Sequence, residues 1–505
     1  MTSTAQTALD QLCDHARQTA LLSSTLSLLE WDERTKLPSA GGDYRAEQIA
    51  YLAGLIHQRE TDPKIGHWLD SLEGSPLAAD RHSDDGTTVR QIRREYDKKT
   101  RLPQDLVEAI ARTSVQSQQV WVEARRQKDY ARFRPHLEVM IRLKREEAAA
   151  LGYEDDPYDA LLDEYEPDAR TGQVAHVLGQ LRDALQPLVQ SIVDSGRTPN
   201  RSILERSFPR DRQEQFGRRL AEQIGFDFNE GRLDETVHPF CAGMGPRDTR
   251  ITTRYEPFVA SSIYTILHEA GHGIYDQQLR SEVYGLPPGN AVSLGIHESQ
   301  SRMWENFVGR SRAFWEHWYG PLQEAFPDAT SGVPLDDFYF LINDVHPSLI
   351  RVEADEATYN LHILVRFELE HDLIGGGLSV DDLPEAWNAK YEQLLGITPP
   401  DDAQGVLQDV HFSAGLFGYF PTYSLGNLYA AQIFEQAERD LGDLADMFRR
   451  GEFTPLRQWL GENIHQHGQR YTAAELVERI TGKPLSHEPL MKYLRGKFAP
   501  LYGLK

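Results

Sequence analysis

Apolar residues recur at three- and four-residue spacing along almost the whole chain, and a chain so patterned folds as packed amphipathic helices. "TALDQLCDHARQTALLSSTLSLLEWDERT" reads this way, "LPSAGGDY" breaks it, and "RAEQIAYLAGLIHQRE" restarts it. The stretch from "TTVRQIRREYDKK" to "REEAAAL" predicts two or three long helices with proline stops, and "QVAHVLGQLRDALQPLVQSIVDSG" and "RDRQEQFGRRLAEQIGF" continue the pattern. One segment departs from it. In "DTRITTRYEPF", 248–258, β-branched and aromatic residues alternate with Asp and Arg, which predicts a strand. From 298 to about 496 the chain is again helical in pattern, with breaks at "IGGGLSVDD" and "ITPPDDAQG". The expected fold is therefore mainly α, with a small β element.

At 505 residues the chain is long enough to bury a large core without staples. It has only two cysteines, Cys13 and Cys241, which excludes a disulfide framework. The formal net charge of −24 disfavours nucleic acid and anionic membranes as partners. No run reaches the roughly 20 apolar residues of a membrane span. The opening "MTSTAQTALDQLCDHARQ" lacks the basic and apolar regions of a signal peptide. The expectation is a soluble, cytoplasmic protein.

Directly after the strand segment comes "SIYTILHEAGHGIYDQQL". His268 and His272, at i and i+4, share one helical face and can direct their imidazoles at one ion. Glu269 is rotated about 100° from His268, beside such an ion rather than on it, where it can take a proton from water. Two imidazoles and a carboxylate with one open position suit Zn²⁺. Apolar flanks make three uncompensated ionisable groups costly unless they are paired or metal-bound. The third ligand is expected in "GIHESQSRMWENF", 26 residues past His272: Glu298 is favoured and His297 is its rival. Asp276, one turn after His272, is either an acceptor for a ligand imidazole or a solvated helix residue.

Other polar residues stand in apolar surroundings. Arg351 in "IRVEAD" has the planar fork that holds a carboxylate, or else pairs with Asp355 at i+4. The glycine- and aromatic-rich run "GVLQDVHFSAGLFGYFPTYSLGN", 405–427, carries Asp409, His411, Tyr419 and Tyr423. A His or Tyr there is a donor for an oxyanion or part of tight packing. "HPFCAGMGPRDTRITTRY" adds His238, Asp248 and Arg250, on a strand able to pair with an extended peptide.

The ordered set "HPF", "DTRIT", "HEAGH", "HESQ", "IRVEAD" and "GVLQDVHF" resembles the motifs of the carboxypeptidase Taq family of zinc metallocarboxypeptidases. The likeness extends to "LEWDERTKLPSAGGDYRAEQIAYLAGLIH" and "NIHQHGQRYTAAELVERITGKPL" near the two ends. The resemblance implies one catalytic domain over 1–505, helical, with zinc on the floor of a long deep groove. The helices before about 210 would form a lid. It implies a homodimer, Zn²⁺ replaceable by Co²⁺, and removal of single residues from peptide C-termini with broad tolerance. His268, His272 and Glu298 would bind the metal and Glu269 act as general base and acid. Arg351 would hold the terminal carboxylate and His411 and Tyr423 contact the reacting group; Tyr419, His238 and Arg250 are further substrate-binding candidates. Phe412 stands where the family commonly has Trp, which removes an indole donor. Two rivals remain from the residues themselves: a helical zinc oligoendopeptidase or dipeptidase, and a non-catalytic metal-binding scaffold.

Overall fold

The structure of the protein is a computed structural model that describes residues 2–504. It is helical almost throughout, as the periodicity predicts, with one three-stranded sheet among the described residues. The chain forms two compact units: one built from 1–100, 200–342 and 433–483, the other from 101–199, 343–432 and 484–505. The stretch before about 210 is thus divided between them.

In the first unit, the helices Thr2–Thr35 and Pro63–Leu72 bury Leu9, Leu12, Ile65, Leu69 and Leu72 in a cluster of their own. The sheet has the order β1 (Gly231–Glu235), β3 (Thr249–Thr253), β2 (Cys241–Gly243), with β3 parallel to β1 and antiparallel to β2. The predicted strand is β3. It stops at Thr253 rather than reaching 258, just before the Glu256–Pro257 step. The other two strands give no alternation to read, because "GRLDE" carries charge on most positions and "CAG" is three residues long.

Those charges have partners. Arg232 of β1 and Arg250 of β3 are register neighbours, and their guanidinium carbons lie 5.0 and 4.4 Å from the ring of Trp31 on the first helix. Cation–π contact of this kind docks the N-terminal helix on the sheet. Ile251 of β3 is fully buried. It meets the helix Val259–Gln278 at Gly273, where an added Cβ would lie 3.1 Å from Ile251 Cγ2. That helix is buried along most of its length, with Val259, Ile263, Ile266, Leu267, Ile274 and Tyr275 packed inside and polar residues at its two ends and in the motif.

The second unit packs helices Gln104–Gln127, Tyr130–Leu151, Thr171–Asp194, Tyr359–Gly375 and Leu383–Leu395. The predicted breaks fall where helices end, at Gly376 and Gly396, both at positive φ. The glycine- and aromatic-rich run 405–427 holds a short helix, His411–Ala414, and the start of a long one, Pro421–Leu441.

Candidate metal centre

His268 and His272 leave the same face of the helix Val259–Gln278. Glu298 comes from the next helix, Leu294–Arg302, whose start is capped by Ser293 accepting from the Ile296 N–H at 3.1 Å. Glycine makes their approach possible. A Cβ on Gly271 would lie 2.7 Å from Ser301 Cα and 2.8 Å from Gln300 O, both backbone atoms of the facing helix. Gly271→Ala therefore forces the helices apart. The expected cost is about 1–3 kcal/mol, together with weaker metal binding. Thermal melts and metal content check this, and an alanine variant with wild-type affinity would contradict it.

With the helices this close, one donor atom from each of His268, His272 and Glu298 lies within 4.8 Å of the others. Glu298 Oε2 is 3.6 Å from His268 Nε2 and 3.5 Å from His272 Nε2. Bonds of ~2.1 Å to a tetrahedral cation put ligand atoms ~3.4 Å apart, so the donor set fits a small divalent metal with one position open.

A second layer surrounds these three residues. His268 Nδ1 is 2.9 Å from Glu305 Oε2. Arg302 donates from Nε to Glu298 Oε1 at 2.7 Å and from Nη1 to Glu305 Oε2 at 3.1 Å. His272 Nδ1 lies 2.5 Å from His297 Nδ1, and His297 Nε2 lies 3.1 Å from Asp276 Oδ1. His297, the rival ligand, thus faces away from the donor cluster, and Asp276 reaches His297 rather than a ligand directly. Glu305 and Arg302 were not singled out from sequence. Glu305 lies in a π-helical turn, Met303–Val308, that no residue pattern announces.

The electrostatics follow from burial and this crowding. Burial opposes the charge on Glu298, but Arg302, His268 and His272 outweigh it and hold the carboxyl well below its usual range. Burial pushes His272 down to about 4. For His268 burial works in the same direction, yet Glu298 and Glu305 overcome it and raise the imidazole. Glu269, 6% exposed, is pushed up by burial to about 7, with the Glu298 and Glu305 carboxylates adding to the shift. A carboxyl poised near neutrality can both take and return a proton.

The remaining candidates divide between the units. In the first, His238 is exposed between β1 and β2, and Arg250 is held in a bidentate pair by Asp248 at 2.9 and 2.8 Å. In the second, Arg351 is buried and does not pair with Asp355. Its Nε and Nη2 donate to Asp409 Oδ1 at 3.0 and 2.8 Å, and its Nη1 donates to Tyr359 at 3.2 Å. Asp355 instead accepts from the Ala357 and Thr358 N–H groups. Asp409 Oδ2 takes a second guanidinium, Arg366, at 2.7 Å. Two cations share one carboxylate there, which leaves an excess of positive charge. The Arg351 guanidinium also lies 5.3 Å from the Tyr423 ring centroid.

Tyr419 packs between His411 and Tyr423, with ring centroids 5.4 Å away on each side. Burial pushes His411 down to about 4. Phe412 stacks on Phe417 at 5.2 Å with its edge toward Trp387, so an aromatic without an indole donor fills this position by packing alone.

The turn before Tyr419 is held from below. Gly418, at φ +89, has no room for a Cβ against the Leu161 backbone, and its N–H donates to Glu370 Oε2 at 3.2 Å. Tyr158 donates to the same oxygen at 2.6 Å. Burial pushes Glu370 up from 4.5 to about 8. Between those values the folded chain keeps a proton that the unfolded chain has lost. The stability from this group is therefore complete below about pH 4.5 and drains away as pH rises through about 8. Glu370→Gln, which cannot ionise, is expected to flatten the decline of melting temperature over that range. An unchanged slope would show that another group titrates.

Comparison with known proteins identifies the family. Residues 11–498 match the family described as carboxypeptidase Taq (M32) metallopeptidase. The chain is 48% identical over 510 residues to thermostable carboxypeptidase 1 of Thermus thermophilus, covering 99% of this chain and 100% of the relative. It is 39% identical to carboxypeptidase 1 of Bacillus subtilis over 483 residues, covering 95% and 96%. The crystal structure of the M32 carboxypeptidase from Deinococcus radiodurans superposes with a TM-score of 0.95 at 41% identity, covering 98% of this chain and all of that one. The chain belongs to the carboxypeptidase Taq (M32) metallopeptidase family and is a metallocarboxypeptidase.

Proposed function

We propose that the protein is a zinc carboxypeptidase that removes single residues from peptide C-termini with broad side-chain tolerance. The observation that carries this reading is the donor set of His268, His272 and Glu298 with the buried Glu269 beside it. A divalent cation held there supplies Lewis acidity to a scissile carbonyl and to water. Glu269 takes the proton of the attacking water and passes it to the leaving amine. Arg351 holds the free carboxylate; with Nε, Nη2 and Nη1 each donating once, two of its five N–H groups have no partner among the described residues. Binding energy spent on that carboxylate restricts cleavage to the terminal bond.

His411 and Tyr423 contact the reacting group, while Tyr419, His238 and Arg250 contact more distant parts of the peptide. Co²⁺ replaces Zn²⁺ in the same site. The order and spacing of the six motifs support these assignments. We read the chain as one catalytic domain working as a cytoplasmic homodimer, with the helices before about 210 as a lid. No helix among the described residues is long and apolar enough to cross a membrane.

The test is mass spectrometry of the Zn²⁺- or Co²⁺-loaded protein with matched peptides bearing free or amidated C-termini. Stepwise loss of single residues from the free acid alone is the expected result. Internal cuts in both peptides would overturn it.

A further inference from the structure

We propose that His297 and Asp276 form a hydrogen-bond relay that sets the ring tautomer of His272, so that its Nε2 lone pair is presented to the metal. The proposal rests on reading His268, His272 and Glu298 as the ligands.

The argument is one of donors and acceptors. A neutral imidazole has one N–H and one lone pair. His272 Nε2 faces Glu298 Oε2 at 3.5 Å, so it is the nitrogen turned to the donor cluster. For Nε2 to offer its lone pair, the proton must sit on Nδ1. That nitrogen lies 2.5 Å from His297 Nδ1. Of two ring nitrogens in contact only one carries the hydrogen, so His297 Nδ1 accepts and His297 is protonated at Nε2. His297 Nε2 then donates to Asp276 Oδ1 at 3.1 Å, an oxygen that only accepts when ionised. The reverse order fails at both ends. It would place a proton on His272 Nε2, among the ligands, and set the His297 lone pair against a carboxylate oxygen.

The surroundings hold the relay in register. His272, Tyr275 and Asp276 stand at i, i+3 and i+4 on the motif helix, so they share one face. The relay leaves that helix at Asp276, crosses to His297 on the next helix and returns at His272. The Tyr275 ring lies 5.0 Å from His297 and 4.6 Å from His465, and its hydroxyl accepts from the Val292 N–H at 3.1 Å. The second oxygen of Asp276 accepts from the Cys241 thiol of β2 at 3.9 Å. The adjacent residues His297 and Glu298 thereby divide the work. One faces the metal, and its neighbour, about 100° round the helix, orients the other ligand. His268 needs no such relay because Glu305 reaches its Nδ1 directly.

Positioning of this kind typically contributes 10–100-fold to metal affinity. The experiment strips the protein of metal and titrates it with Zn²⁺ against a chromophoric chelator. His297→Ala is expected to weaken binding about 10–100-fold, with an unchanged far-ultraviolet spectrum. In His297→Gln the carbonyl oxygen accepts from His272 and the amide donates to Asp276, so affinity is expected to return to within about threefold of wild type. In ¹⁵N-histidine spectra of the Zn²⁺-loaded protein, His272 is expected as the Nδ1–H tautomer and His297 as the Nε2–H tautomer. Wild-type affinity in His297→Ala, or a His297 proton on Nδ1, would overturn the relay. So would a His297→Gln variant as weak as the alanine one. His268→Ala is the control: wild-type affinity there would sink the ligand assignment itself, whereas loss of the site there with no loss in His297→Ala would sink the relay alone.

Discussion

Glu269→Gln is expected to lower kcat by about 10²–10⁴-fold while leaving metal stoichiometry unchanged. Glutamine fills the same volume in a site that is almost fully enclosed, and the grouped donor atoms belong to His268, His272 and Glu298. What disappears is a group able to accept a proton and release it again. Burial pushes Glu269 up to about 7, with the nearby Glu298 and Glu305 carboxylates adding to the shift, so its basicity comes from the low-dielectric, acidic site rather than from one partner. The measurement pairs steady-state kinetics on a free-acid peptide with metal analysis of the same sample. Full turnover with metal bound would remove Glu269 from the mechanism. Loss of metal along with activity would mean that the residue supports the ligands rather than the proton transfer.

Asp409→Asn is expected to destabilise the fold by about 3–5 kcal/mol, far more than Arg351→Met at the other end of the same ion pair. Asp409 is the only carboxylate within salt-bridge distance of both buried guanidiniums among the described residues, and their fields hold its carboxyl well below the usual range against the effect of burial. Neutralising it leaves Arg351 and Arg366 side by side with no anion between them. Arg351→Met removes the surplus cation and leaves Arg366 and Asp409 paired one to one, with the Met chain filling the space. That variant is expected to fold and to lose at least about 30-fold in kcat/KM on free-acid peptides. Melting curves separate the two substitutions. Equal destabilisation would mean that Arg351 serves the fold, and unchanged kcat/KM in a folded Arg351→Met protein would remove it from substrate binding.

The local parts of this site were legible because local geometry is written in spacing. Four residues on a helix bring His268 and His272 to one face whatever surrounds them. The apolar flanks of the motif mark it as buried, and β-branched alternation marks β3. The parts that stayed illegible depend on segments far apart in the chain. Arg351 pairs with Asp409 and not with its i+4 neighbour Asp355, because the Asp355 carboxylate is already capping the turn before Tyr359. β1 and β2 exist because β3 offers them an edge on each side, not because their own residues favour extension.

The spacing of the residues thus determined that the protein is helical and that a two-histidine face follows a strand, and it pointed to "HESQ" for a carboxylate to join them. Tertiary structure turned Glu298 toward the two histidines and His297 toward Asp276, and placed Glu305 and Arg302 beside them. The physical reason is the contact at Gly271. The rotation of the second helix about its axis sets which of its side chains faces the first, and both that rotation and the close approach at Gly271 come from packing between segments rather than from the order of residues within either.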